Sequence, residues 1–244
     1  AGFSPAKRKE AGAQHIDMGI AEEQAVAMIS GMAKGGLRPV WTVYSTFIQR
    51  TYDQIAQDLC INSNPAVINV MWGGTGTMND ITHICMFDIP MLCSIPNLIY
   101  MAPTTCEEYF AMLRWAIRQE AKPIAIRVPS NGVVHTTEAV EREYSYTPKY
   151  KVAHEGSQVA IIAAGSFYQK GENVAHLLAE QGIDATLINP RYLQAYRIVL
   201  RHCRHEGAGV WREKGPLRPL RPPATACRQP IARKPNSRRY FEHH

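Results

Sequence analysis

Ala66-Val67-Ile68-Asn69-Val70-Met71-Trp72, followed at once by Gly73-Gly74-Thr75-Gly76-Thr77, decides the architecture. A run this apolar, broken only by Asn69, suits a strand buried on both faces, the kind found in parallel sheets. The glycines that follow read as a loop beyond the strand's carboxyl end. Working outward, short apolar strands at 39–44, 98–101 and 124–128 alternate with amphipathic helices at 47–61 and 105–120. Such alternation predicts an α/β fold, a parallel sheet flanked by helices. Open sheets of this kind place ligand loops beyond the strand carboxyl ends, so a site is expected on that edge. Gly73-Gly74-x-Gly76 is no phosphate loop, since neither a Walker lysine nor a complete GxGxxG accompanies it.

A first domain is expected over residues 1–134. The polar stretch 135–155 reads as an extended linker, and a second α/β unit follows over 156–193. Its parts are an apolar strand at 158–164, an amphipathic helix at 169–181 stopped by Gly182, and a strand at 185–189. Residues 194–244 lose all apolar periodicity. They hold ten Arg and two Lys against three Glu, a balance of +9, which leaves −3 for residues 1–193 of a chain whose net charge is +6. Pro216, Pro219, Pro222 and Pro223 interrupt the arginines, with no helical spacing and no interleaved aromatics. The tail therefore reads as disordered and foreign to the rest, like the product of a shifted reading frame, and not as a nucleic-acid arm.

With 244 residues, 45% of them apolar, the chain can bury a sizeable core. It has no apolar run long enough to span a bilayer and no signal-peptide core near Ala1, which points to a cytoplasmic protein without a membrane partner. Cys60, Cys85, Cys93, Cys106, Cys203 and Cys227 form no CxxC pair and sit mostly among apolar residues, so they read as reduced core thiols without structural zinc.

Glu22 lies where Asp17-Met18-Gly19-Ile20-Ala21 turns into a helix with its apolar stripe at Ala25, Ile29, Met32 and Ala33. Taken alone, it is an acid that complements a helix dipole. Three further blocks change its meaning: Tyr44-Ser45-Thr46-Phe47-Ile48-Gln49-Arg50-Thr51-Tyr52-Asp53, Thr82-His83-Ile84-Cys85-Met86-Phe87-Asp88, and Ile95-Pro96-Asn97 with Met101-Ala102-Pro103. Together with Gly19-Ile20-Ala21-Glu22-Glu23-Gln24-Ala25-Val26 they closely resemble the 1-deoxy-D-xylulose-5-phosphate synthases, thiamine diphosphate enzymes of the transketolase superfamily. The resemblance runs over about residues 14–193.

It implies a transketolase-type pyrimidine-binding domain followed by a truncated transketolase C-terminal domain. It also implies that Glu22 hydrogen-bonds N1′ of the aminopyrimidine, where an apolar pocket favours the neutral acid. Glu23 should face elsewhere. Phe47 matches the ring that stacks on the pyrimidine, and Arg50 would reach cofactor or substrate. Tyr44 and His83 match residues near the substrate, His83 placed for hydrogen bonding or proton transfer. Arg127 is a candidate substrate cation. The implied substrates are pyruvate and an aldehyde, glyceraldehyde 3-phosphate in the family, and the implied state is a homodimer. Mg²⁺ and the diphosphate would be held by an N-terminal domain that these residues do not include. Trp72 and Ser130 stand where the resemblance implies arginines, and Asn79 where it implies aspartate, so the acceptor pocket is expected to differ. The rival readings are another acceptor aldehyde or a non-catalytic partner subunit.

Overall fold

The computed structural model describes residues 4–74, 81–130, 132 and 134–194. Asn79, most of the loop after Gly74 and all but the first residue of the basic tail lie outside the described residues, and so do Cys203 and Cys227.

Four strands form a parallel sheet in the order β1-β2-β4-β3: β1 Val40–Tyr44, β2 Val67–Gly73, β3 Ile99–Met101 and β4 Ile124–Pro129. In register, Val67 faces Val40 on one side and Ile124 on the other. The two central strands carry the most apolar sequence because both of their faces are covered. Alternation along the strands then splits the core in two. Ile68, Val70, Tyr100 and Ala125 point to a layer with Val26 and Ile29 of α2 (Glu22–Lys34) and with Ile48, Ile55 and Leu59. Val67, Ile99, Met101, Ile124 and Ile126 point to the opposite layer, against Met112, Trp115 and Ala116 of α5 (Cys106–Arg118). The sheet is thus flanked by helices, as the strand pattern requires. Two short helices complete this unit, α1 (Pro5–Ala11), which the periodicity did not reveal, and α4 (Asp88–Leu92).

The segment 47–61 is not the single α-helix expected from its periodicity. It begins as a 3₁₀ turn, Phe47–Thr51, passes through α3 (Tyr52–Gln54) and ends as a π-helix, Ile55–Ile61. Thr51 is fully buried, and its hydroxyl donates to the Ile48 carbonyl at 2.7 Å. Such back-bonding competes with regular helical pairing. The tight first turn keeps Phe47 and Arg50 beside the end of β1.

A second, three-stranded sheet has the order β5-β7-β6, with β5 Lys151–His154, β6 Val159–Ile162 and β7 Ala185–Asn189. β6 and β7 are parallel and joined through α6 (Tyr168–Glu180), the strand-helix-strand unit read from the sequence. β5 falls within the stretch read as linker. All four of its residues are exposed, and the strand exists because it pairs antiparallel with β7, Val152 opposite Ile188. Local sequence carries no trace of that pairing.

The chain after β7 returns to the first sheet and covers the free edge of β3. The Ala102 amide donates to the Arg191 carbonyl at 2.8 Å, the Tyr100 amide to Gln194 Oε1 at 2.8 Å, and Gln194 Nε2 to the Leu98 carbonyl at 2.7 Å. Arg191 is itself buried and donates to Glu141 at 2.9 Å.

Candidate active site

Glu22 opens α2 without a side-chain cap at Ala21, and Ala25, Val26 and Ile29 press that end of the helix into the core. Its side chain is 11% exposed, and its carboxyl group lies 3.4 Å from an Nη of Arg50. Glu23 is exposed, facing elsewhere as expected. A cavity of about 240 Å³ lies beside the ends of β1 and β2, with Glu22, Tyr44, Phe47, Val43 and Met71 among its lining residues. Three of the residues singled out in the sequence, Glu22, Tyr44 and Phe47, therefore share one cavity.

The aromatic residues continue past it. Tyr44 meets Phe47 edge-on with ring centroids 6.0 Å apart and packs against Trp72 at 4.9 Å, while Phe47 meets the His83 imidazole edge-on at 5.1 Å. His83 is carried on a short 3₁₀ turn, Ile81–His83, tied down by two contacts. The Gly74 amide donates to the Cys85 carbonyl at 2.7 Å, and the Thr46 hydroxyl donates to the Thr82 carbonyl at 3.3 Å. The Thr82 hydroxyl is 2.8 Å from His83 Nδ1. Residues more than thirty positions apart in sequence are thus held ring to ring. Trp72 adopts φ +61°, a conformation costly for a bulky residue, as the chain turns out of β2.

Arg127 lies outside this cavity's lining. Its Nε donates to Asp88 at 2.6 Å, and the Asp88 side chain is fully buried. The Tyr100 hydroxyl donates to the same carboxylate oxygen. Burial works against the Arg127 charge, but hydrogen bonding to Asp88, the Asp88 charge and the neighbouring Tyr100 together outweigh it and hold the guanidinium above its ordinary value. Burial, reinforced by the Asp88 charge, pushes the Tyr100 phenol well above its usual range, so it remains a donor. The guanidinium fills the space over Gly73, where a Cβ would come within 2.5 Å of Arg127 Cζ. Asp88 and Tyr100 had no place in the expected site; a charged residue inside the apolar strand Ile124-Ala125-Ile126-Arg127-Val128 was the one available signal. Trp41, Thr42 and Met18 also line the cavity. No motif marks them, because their access depends on β1 being an edge strand.

The cavity suits a flat, largely apolar ring with one hydrogen-bonding edge, since apolar and aromatic side chains surround a single acid. Glu22 is its one carboxylate among the described residues, which gives no set of ligands for Mg²⁺ there.

A parallel α/β domain with an acid at a helix start, facing aromatic side chains near the strand ends, defines a ligand-binding domain of the doubly covered type. The chain belongs to the transketolase family: residues 3–135 match the family model "Transketolase, pyrimidine binding domain" and residues 148–197 match "Transketolase, C-terminal domain". It is 40% identical over 179 residues to 1-deoxy-D-xylulose-5-phosphate synthase of Clostridium tetani, covering 73% of this chain and 28% of that protein. The enzyme of the same name from Thermomicrobium roseum gives the same identity and coverage. That of Clostridium botulinum (strain Alaska E43) is 37% identical over 197 residues, covering 80% of this chain and 31% of the relative. The chain thus spans under a third of the length of these relatives. In fold it is similar to a solved structure titled "Split gene transketolase, inactive beta4 tetramer", with a TM-score of 0.66 and 21% identity, covering 83% of this chain and 68% of that one. Among the described residues no helix is long and apolar enough to cross a membrane.

Proposed function

We propose that this chain carries the aminopyrimidine half of a thiamine diphosphate site in a 1-deoxy-D-xylulose-5-phosphate synthase-like transferase, acting on pyruvate and an aldehyde. The observation that carries the reading is the meeting of Glu22, Tyr44 and Phe47 in one cavity, with Arg50 on the acid and His83 on the Phe47 ring. Glu22 would hold or move a proton at N1′ of the pyrimidine, and Phe47 would offer its ring to the pyrimidine face. Thiamine diphosphate, when bound, supplies the electron sink that decarboxylation of a 2-oxo acid requires. Arg50 would exchange part of its contact with Glu22 for cofactor or substrate. His83 and Tyr44 would hydrogen-bond substrate oxygens, His83 as the group able to pass a proton. The apolar walls exclude water, which strengthens these polar contacts. Mg²⁺ and the diphosphate would be held by a separate domain or subunit, and the working state would be a homodimer or an assembly with that partner.

A second reading concerns the acceptor. Trp72 and Ser130 occupy positions where the resemblance implies phosphate-binding arginines, the Trp72 ring is packed on Tyr44, and Arg127 is engaged by Asp88. Each charge-assisted contact to a phosphate contributes roughly 1.5–3 kcal/mol. Their replacement favours a neutral aldehyde over glyceraldehyde 3-phosphate.

The test combines the chain with the N-terminal domain of a relative, Mg²⁺ and thiamine diphosphate, and measures CO₂ release from pyruvate with phosphorylated and neutral aldehydes. Release that falls at least about a hundredfold in Glu22→Gln supports the proposal. No release, or equal release in the variant, refutes it. Preference for the phosphorylated aldehyde refutes the second reading alone.

A further inference from the structure

Cys106, Glu107 and His135 come together away from the cavity lined by Glu22 and Phe47. One candidate ligand atom from each, the Cys106 thiol, a Glu107 carboxylate oxygen and a ring nitrogen of His135, lies within 4.8 Å of the other two. We propose that these three side chains form a zinc-binding site, with the fourth position open to water.

Cys106 is the one described cysteine that is not buried; Cys60, Cys85 and Cys93 are core thiols. It sits on the first turn of α5, where helix capping leaves Glu107 available. Thr105 is the N-cap, its hydroxyl accepting from the Glu108 amide at 3.2 Å, and Glu108 reaches back to the Thr104 amide at 2.7 Å. That reciprocal pair occupies Glu108. Glu107 instead reaches across to the segment after β4, accepting from the Thr136 amide at 2.9 Å and lying 2.8 Å from His135 Nδ1. The Cys106 amide donates to the Val134 carbonyl at 2.9 Å. Three contacts therefore hold 134–136 against the helix start before any ion arrives, two of them made by the Glu107 carboxylate, which would give up part of its contact with His135 to the ion.

The donor set suits zinc. One thiolate, one imidazole and one carboxylate form a mixed soft and borderline group that Mg²⁺ and Ca²⁺ do not choose. Zinc bonds of about 2.0–2.3 Å at tetrahedral angles put ligand atoms roughly 3.3–3.7 Å apart. From separations of 2.8 Å for Glu107 to His135 and at most 4.8 Å for the rest, the side chains need shifts of about an ångström. His135 is 70% exposed and Glu107 35% exposed, so an ion has an open approach. No CxxC-like spacing marks the site, because His135 is brought to Cys106 by the return of the chain from β4.

The experiment uses the full reduced chain, stripped of metal by chelation and titrated with Co²⁺ as a spectroscopic stand-in for zinc. The expected result is one equivalent giving a thiolate-to-cobalt charge-transfer band with the visible bands of tetrahedral coordination, displaced by Zn²⁺. Cys106→Ser should abolish the charge-transfer band. His135→Asn, at an exposed position that leaves folding intact, should weaken Co²⁺ affinity at least about tenfold, since even outer partners of metal ligands are worth that much. No band in the wild-type chain, or a band unchanged in Cys106→Ser, overturns the proposal, as does equal affinity in His135→Asn.

Discussion

Replacing Arg127 with Met tests whether the buried pair beneath Gly73 holds the carboxyl edge of the sheet together. The Asp88 side chain is fully buried and that of Arg127 only 12% exposed, so solvent screens their attraction little. At an effective dielectric near 20, unit charges at ~4 Å attract by about 4 kcal/mol. Removing one member of a buried pair costs about 3–5 kcal/mol, because the other charge remains without its partner. Tyr100 still donates to Asp88, which offsets roughly 1 kcal/mol. Arg127→Met should therefore destabilise by about 3 kcal/mol, a fall in Tm of roughly 6–12 °C for a chain of this size. Urea unfolding followed by circular dichroism measures it. The paired variant Asp88→Asn with Arg127→Met leaves no lone charge and should be more stable than the sum of the single changes by about 2 kcal/mol. A loss below about 1 kcal/mol in Arg127→Met, or strict additivity in the double variant, would show that the pair is not the support described here.

At Gly171, on the inner side of α6, an added Cβ would lie 2.6 Å from that of Ala163 and 3.2 Å from Leu187 Cδ1; Gly171→Ala should cost about 1–3 kcal/mol by overpacking. Gly31 in α2 meets nothing within 4 Å, so Gly31→Ala should instead stabilise by about 0.5–1 kcal/mol, and equal thermal shifts in the two variants would contradict the packing. Docking of residues 191–194 should weaken in acid. Hydrogen bonding from Arg191 holds the Glu141 carboxyl below its ordinary value of 4.5, so its contribution is complete above that pH and lost as the pH falls through the lowered value. The protection factor of the Tyr192 amide, its exchange rate relative to the intrinsic rate at each pH, should fall between about pH 6 and pH 3 more in wild type than in Glu141→Gln, and parallel profiles would rule the device out.

Much of the first unit was legible in the sequence because its signals are local. Val67, Ile68 and Val70 make a strand apolar on both faces, and only a helix-covered parallel sheet gives such a strand somewhere to sit. The 19–26, YST and TH blocks named the family from residue identity alone, and the first two singled out Glu22, Tyr44 and Phe47, which share a cavity in the fold. The failures have a common origin. β5 is four exposed residues that become a strand only through β7, and the helix at 47–61 departs from α geometry where the buried Thr51 hydroxyl takes a backbone carbonyl. What the sequence could not show of Arg127, a candidate substrate cation, is its pairing with Asp88, thirty-nine positions away.

By itself, the sequence determined the strands of the first sheet, the helices that flank it at 22–34 and 106–118, and the family, since these depend on side-chain identity and short-range spacing. Tertiary structure alone decided which charges are paired, that Arg50 rests on Glu22 and Arg127 on Asp88, and that Cys106, Glu107 and His135 meet across a chain return. Contacts of that kind follow from where strands and helices pack, and packing brings together residues whose separation along the chain carries no record of it.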